Sequence, residues 1–199
     1  GMSVTPDDAW VLVADSPSIV HVSRDRGVTW ARRTSTIDGI HAGVAGLRDG
    51  RLLAFARGER EGRLPVSVSD DLGQTWTHGP SPFPPIHWAQ RLVLLRLREG
   101  PLLLVSFTNP THHVPQDEWS GMEFQDRNGD TFTGYGLFAA LSFDEGATWP
   151  SRKLLTPKPG EYDGKGHTKT FEATATMAEP KGYLAATQTP DGIIQLISS

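Results

Sequence analysis

The octapeptides Ser23-Arg24-Asp25-Arg26-Gly27-Val28-Thr29-Trp30, Ser69-Asp70-Asp71-Leu72-Gly73-Gln74-Thr75-Trp76 and Ser142-Phe143-Asp144-Glu145-Gly146-Ala147-Thr148-Trp149 align without gaps, and each reads S-x-D-x-G-x-T-W. At average residue usage, five fixed positions coincide by chance roughly once in a few million starting points. The recurrence is therefore a true internal repeat, and it sets the period of the fold. The pattern describes a tight hairpin loop. The Ser hydroxyl and Asp carboxylate can hold backbone N–H groups inside the turn, in place of ladder bonds lost there. Gly supplies a positive φ that a side chain resists. Trp opens the next strand and lays an apolar face over the hairpin. On this reading Ser23, Asp25, Gly27 and Trp30 are structural, as are Ser69, Asp71, Gly73 and Trp76, and Ser142, Asp144, Gly146 and Trp149. Their carboxylates are not expected to catalyse or to bind metal.

Strand signals fall in a regular order around these boxes. Residues 47–56 (LRDGRLLAFA) read as strand, Asp-Gly turn, strand. Residues 91–107 repeat the motif about Glu99-Gly100, and residues 174–187 read as a third copy about Lys181-Gly182. Apolar stretches at 64–68 and 136–141 lead into the second and third boxes. The unit is strand, tight turn, strand, variable loop, strand, box, strand, which is the four-stranded antiparallel blade of a propeller. No helix is expected.

Residues 10–14, 18–23 and 29–37 read as strands two, three and four of a first blade. Residues 193–199 read as the third strand of a last one. The expectation is thus an all-β fold, a partial β-propeller of about three and a half blades over residues 10–199. Residues 1–9 are expected to be a tag remnant, from Gly1 ahead of Met2, and an N-terminal arm. Propellers usually close with four to eight blades, and folded proteins cover their strand edges. The chain is then a segment of a longer protein, or is completed by a second chain, or takes a smaller irregular form. A homodimer completing the ring is the favoured expectation.

Composition narrows the function classes. The 199 residues carry a formal net charge of −4, whereas a nucleic-acid binder usually presents a basic surface. No stretch approaches the 18 or more apolar residues of a membrane-spanning helix, so neither nucleic acid nor membrane is expected as a partner. With no cysteine, disulfides, thiolate catalysis and Cys-based zinc sites are excluded. The compartment stays open, a secreted or periplasmic parent protein being compatible with the absence of disulfides. No signal peptide is read after Met2.

The blade order sorts the loops by face. Tight turns and boxes lie on one face. The long charged loops, 37–41, 57–63, 82–90, 109–133 and 156–172, all fall on the other, where variable loops on a rigid scaffold carry function. Nearest the axis on that face come the residues that start strand one, His41, Gln90, Arg91 and Glu172, and those that end strand two, Arg57, Asn109 and Gln188. Arginine there suits a carboxylate ligand, which its planar fork binds bidentately. Glu172 is the candidate general base. His41, Arg57, Gln90, Arg91 and Gln188 are the candidate ligand-binding residues, each weighed against an ordinary packing or solvated role. Trp88 and Trp119 are aromatic candidates for stacking on a sugar. His112, His113, Asp117 and Glu118 match no zinc spacing, so neither a metal nor a cofactor is expected.

The three boxes, with residues 49–57 (DGRLLAFAR) and 188–199 (QTPDGIIQLISS), resemble the Asp-boxes and flanking strands of sialidase and BNR-repeat proteins. The resemblance covers nearly the whole chain after Trp10. It implies a six-bladed propeller and a carbohydrate ligand. In such sialidases three arginines hold the sialic acid carboxylate, a Tyr activated by a Glu is the nucleophile, and an Asp is the acid/base. By blade position the resemblance implies Arg57 and Arg91 for two of the arginines and Glu172 for the glutamate. The family's Arg-Ile-Pro tripeptide does not occur here, and the nucleophilic Tyr and the acid/base Asp have no assigned counterpart. Two functions follow as alternatives: a sialidase-like glycoside hydrolase, or a remnant of one, acting through the loop face, and a non-catalytic propeller that binds glycan or protein there.

Overall fold

The structure, a computed structural model, describes residues 2–14, 16–108, 121–166 and 168–198. Every regular element among them is a strand. Three four-stranded antiparallel blades stand side by side. The first is β1 (Met2–Val4), β2 (Trp10–Ala14), β3 (Ile19–Ser23) and β4 (Ala31–Thr36), in that order. The second is β5 (Ile40–Gly46), β6 (Leu52–Arg57), β7 (Pro65–Ser69) and β8 (Thr77–Pro80). A two-residue strand β9 (Gln90–Arg91) precedes the third blade, formed by β10 (Val93–Arg96), β11 (Leu102–Phe107), β14 (Leu137–Ser142) and β15 (Ser151–Leu154). Between β11 and β14 the chain inserts a hairpin of β12 (Met122–Gln125) and β13 (Thr131–Gly134). After β15 come a second inserted hairpin, β16 (Gly160–Asp163) with β17 (Thr170–Ala173), then β18 (Gly182–Tyr183), and a last pair, β19 (Ala185–Gln188) with β20 (Ile194–Ile197). No helix of the structure is long and apolar enough to cross a membrane.

Burial explains which sequences became which strands. The second strand of a blade is sandwiched between neighbouring blades, so both of its faces must be apolar. In β11 (LLLVSF) every residue is buried, and in β6 (LLAFAR) all but Arg57. The fourth strands face outward on one side and read accordingly as polar mixtures such as ARRTST in β4. The innermost strands β1, β5, β10 and β19 lie against one another in sequence. Their approach is close: a Cβ added at Gly43 would lie 3.0 Å from the backbone N of Leu94. Between the second and third blades sits an aromatic cluster. Phe83, fully buried in the segment after β8, has its ring centroid 5.4 Å from Trp149, 5.6 Å from Phe138 and 6.1 Å from Phe55.

The boxes fold alike. In each, the Ser hydroxyl accepts the Gly N–H at 2.8 Å, and Asp Oδ1 accepts the Thr N–H at 2.8 Å. The other carboxylate oxygen accepts the Thr hydroxyl. The residue before Gly and Gly itself both have positive φ, from 55° to 90°, which closes the loop with the twist that antiparallel neighbours need. All hydrogen bonds to these carboxylates are local, so each carboxylate holds its own hairpin. The second and third boxes also reach a neighbouring blade, the second through its Leu72 carbonyl, which accepts from Arg33 Nε at 3.1 Å. Glu145 reaches Arg96 of β10 with paired contacts of 2.5 and 2.8 Å, and Arg96 also donates to the carbonyls of Gly46 and Gly100. One guanidinium thus ties the third box to the first turns of the second and third blades.

Two features differ from the sequence reading. Met2–Val4, assigned above to an N-terminal arm, pairs antiparallel with β2 and supplies the first strand of the first blade. Three residues are too few for alternation to reveal a strand. The third Asp-Gly-type hairpin also lies elsewhere. Leu47 N–H donates to Arg51 O and Gly50 N–H to Leu47 O. The same pair of bonds recurs at 97–101, in the inserted hairpin at 126–130, and as the next blade turn at 189–193, not at Lys181-Gly182. Gly50, Gly100 and Gly192 all have positive φ, and Gly182 does not. Gly182 instead pairs in parallel with Gln90. The fourth blade therefore begins at β18 and β19, and the described chain ends within its second strand. The tally of about three and a half blades stands, with its phase shifted by one strand.

Candidate functional site

Aligning the three hairpin turns places His41, Arg91 and Tyr183 at equivalent positions, each six residues before the turn's first residue (Leu47, Leu97, Thr189). In space they meet. Arg91 Nη2 donates to His41 Nδ1 at 2.8 Å, the Arg91 guanidinium lies 5.3 Å over the Tyr183 ring, and the His41 and Tyr183 rings are 6.5 Å apart. Repetition of one backbone unit around an axis brings equivalent side chains of adjacent blades to the same mouth. Sequence reading missed Tyr183, because the last turn was placed at Lys181-Gly182. The spacing from Pro190-Asp191-Gly192 would have revealed it.

Local structure aims these groups. The β5–β6 register slips between Ile40 and Gly43, leaving two residues of β5 opposite one of β6, and such bulges redirect side chains. His41 sits in the bulge with φ 53°, a left-handed setting uncommon for a residue other than Gly. Gln90 is fully buried. Its side-chain oxygen accepts the N–H of His87 and its amide donates to the carbonyl of Pro180, both at 2.9 Å. It ties β9 to the segment before β18 and so fixes Arg91 and Tyr183 relative to one another.

A cavity of about 360 Å³ opens at this cluster, with His41 and Arg91 at its polar end and Leu92, Leu94, Leu184 and Ala186 along its apolar wall. Arg57, at the end of β6, stands beside it and donates to the carbonyl of Gln90 at 3.5 Å. Burial, and then the charges of Arg57 and Arg91, hold the His41 imidazole below its ordinary pKa. Among the described residues no carboxylate lies within ion-pair distance of Arg57 or Arg91, and none lines the cavity. The buried Arg91 Nε finds no acceptor. Among the described residues the mouth is thus positively charged and unneutralised, a setting that attracts an anion.

The remaining sequence candidates lie apart. Glu172 is exposed on β17, opposite Glu161 in the inserted hairpin. Gln188 bonds Glu99 and the Arg98 N–H. That is the face of the boxes, because the shifted phase reverses the direction in which β19 runs. Asn109, His112, His113, Asp117, Glu118 and Trp119 lie outside the described residues. Trp88, two residues before Gln90, exposes half of its surface. Among the described residues the carboxyl with a raised pKa is Glu179, pushed up by burial and moderated by hydrogen bonds from Ser198 and Thr168. It lines a second cavity with Leu137, Lys153, Phe171 and Leu196. Among the described residues no three His, Asp or Glu side chains gather as metal ligands.

The BNR repeat-like domain family model matches residues 4–196. Among solved structures, the chain is similar to a point mutant of NanB sialidase from Streptococcus pneumoniae, with 17% identity and a TM-score of 0.57 over 98% of this chain and 26% of that one. It is similar to the intramolecular trans-sialidase from Ruminococcus gnavus in complex with oseltamivir carboxylate, with 15% identity and a TM-score of 0.51 over 96% and 36% of the two chains. A Hadza microbial sialidase gives 23% identity and a TM-score of 0.50 over 79% and 30%. Identities this low speak to the fold alone. The chain spans less than half the length of each. No curated protein matches the sequence.

Proposed function

The chain belongs to the BNR repeat-like family and has its sialidase-like β-propeller fold, and from that premise we propose that the His41–Arg57–Arg91–Tyr183 mouth binds the acidic group of a glycan. The observation that carries this reading is the pair of guanidiniums with no carboxylate beside them among the described residues. A planar carboxylate would replace their missing counter-charge with charge-assisted hydrogen bonds, which are stronger than neutral ones. The apolar wall of Leu92, Leu94 and Leu184 would take the less polar face of a sugar ring, and Trp88 offers a further ring on the same loop. The similar solved structures named above are two sialidases and a trans-sialidase, which favours an acidic sugar as the ligand.

Binding rather than hydrolysis is the activity proposed for this chain. Tyr183 puts a phenol next to Arg91, but a phenol is a weak nucleophile without a neighbouring base, and no described carboxylate lines the cavity to serve as one. The test is calorimetric titration with N-acetylneuraminic acid, its methyl ester and a neutral N-acetylhexosamine, alongside hydrolysis of a fluorogenic sialoside. The acid should bind, the ester and the neutral sugar should bind at least tenfold more weakly, and Arg91→Ala should lose about tenfold to a hundredfold of the affinity for the acid. Equal affinity for acid and ester would refute the reading, and turnover of the sialoside would restore the hydrolase alternative.

A further inference from the structure

We propose that anion binding at this mouth is coupled to proton uptake by His41, so that affinity rises as the pH falls from neutral into the mildly acidic range. The inference rests on the anion-binding reading and adds its regulation.

The geometry fixes the resting state. A guanidinium only donates hydrogen bonds, so Nδ1 of His41, 2.8 Å from Arg91 Nη2, must be the unprotonated acceptor. Both charged groups described against the imidazole, Arg57 and Arg91, oppose a proton there. Arg57 faces it from the end of β6, Arg91 from β9, and Tyr183 from β18, while β1 and β2 contribute only Met2, Val13 and Ala14 to the shared cavity. Asp38, three residues before His41, is taken up by Arg60. Ligand-free His41 is therefore neutral and occupies one of Arg91's best-placed donors.

An anion between the two arginines reverses each of these effects. Its charge offsets both guanidiniums, so an imidazolium is no longer opposed. A proton from solvent on Nδ1 then converts His41 from an acceptor for Arg91 into a second donor to the anion. Arg91 Nη2 is released to turn toward the ligand, whose oxygens also supply acceptors to a guanidinium whose Nε has none now. One proton is taken up per anion bound. By linkage, the affinity changes by at most tenfold per pH unit, and only between the His41 pKa of the free form and the higher one of the bound form.

The experiment titrates the wild-type chain with N-acetylneuraminic acid, a sugar acid ionised throughout the window, at intervals from pH 8 to pH 5. In parallel, the imidazole carbon-bound proton of His41 is followed by NMR, with and without the sugar acid. The expected result is binding that tightens about fivefold to tenfold toward pH 5, a modest allosteric-scale coupling, with His41 titrating at higher pH when the ligand is present. His41→Asn, chosen because Asn tolerates positive φ and can still accept from Arg91, should bind with little pH dependence. Binding with a flat pH profile, or a His41 titration unmoved by ligand, overturns the coupling and leaves anion binding intact. No binding by the wild type at any pH overturns the anion-binding reading itself. The NMR readout does not depend on the variant folding.

Discussion

Arg96→Met removes the guanidinium that joins the third Asp-box to the turns of two blades while keeping an apolar stem of similar reach. In the native chain the Arg96 and Glu145 side chains are only 23% and 21% exposed, and the pair is bidentate at 2.5 and 2.8 Å. Breaking a buried pair by removing one partner costs about 3–5 kcal/mol, chiefly through the charge left behind. Here Arg48 still answers Glu145, through its backbone N–H at 2.8 Å and its guanidinium at 3.2 Å, so the stranded charge is partly compensated. Against that, the carbonyls of Gly46 and Gly100 lose a donor, at about 1 kcal/mol or less each because water can replace it. The expected loss is about 2–3 kcal/mol, read as a lowered urea midpoint at pH 7 with an unchanged slope. The pH dependence has a definite sign. Hydrogen bonding from Arg96 is the first cause that holds Glu145 below its ordinary pKa. Its contribution is then fully present above the unfolded value of about 4.3 and is lost as the pH falls through the folded value. The gap between wild type and variant should accordingly shrink below about pH 4. A loss under about 0.5 kcal/mol at pH 7, or a gap that persists unchanged to pH 3, would mean that the clamp does not join the blades.

Two further outcomes test the repeat itself. A Cβ at Gly73 would fall 2.2 Å from Val20 Cγ2 in the preceding blade, whereas one at Gly50 would meet nothing within 4 Å, and both residues have positive φ, 80° and 90°. Gly50→Ala should cost about 1–2 kcal/mol from backbone strain alone, and Gly73→Ala about 1–3 kcal/mol more from overpacking. Equal thermal shifts would mean that the contact between blades is loose. Hydrogen bonds led by the Thr75 hydroxyl hold Asp71 at a pKa of about 2, so carboxyl NMR should find it ionised at pH 3. Thr75→Val should move Asp71 up and leave Asp25 in place, whereas an unmoved Asp71 would break the assigned network. Since Asp71 sits below its unfolded value of about 3.9, the stability it contributes is present above that value and fades as the pH falls toward 2.

The three boxes and two of the three Asp-Gly-type turns could be read from the chain directly. They are local: each is closed by bonds among residues at most four apart, such as Ser69 to Gly73 and Asp71 to Thr75. The apolar runs of β6 and β11 were legible for a related reason, since a strand sandwiched between blades has to be apolar on both faces. The site was legible in part. His41 and Arg91 carried a signal through their distance from a recognised turn. Tyr183 carried the same signal, measured from a turn that had been placed elsewhere.

What the sequence by itself determined is the blade, because a blade is a chain of local hairpins with one box in each. What only the tertiary structure decided is the phase of the last blade and everything that depends on it. Whether a Gly-containing turn sits at Lys181-Gly182 or at Asp191-Gly192 depends on which segment can pair with β9 and β10, residues more than 80 positions earlier. That choice sends Gln188 to the box face, leaves Glu172 on an outlying hairpin and brings Tyr183 under Arg91. A strand whose direction is reversed delivers its end to the opposite face. Local pattern constrains the shape of each turn, and the long-range pairing of innermost strands selects among turns of equal local merit.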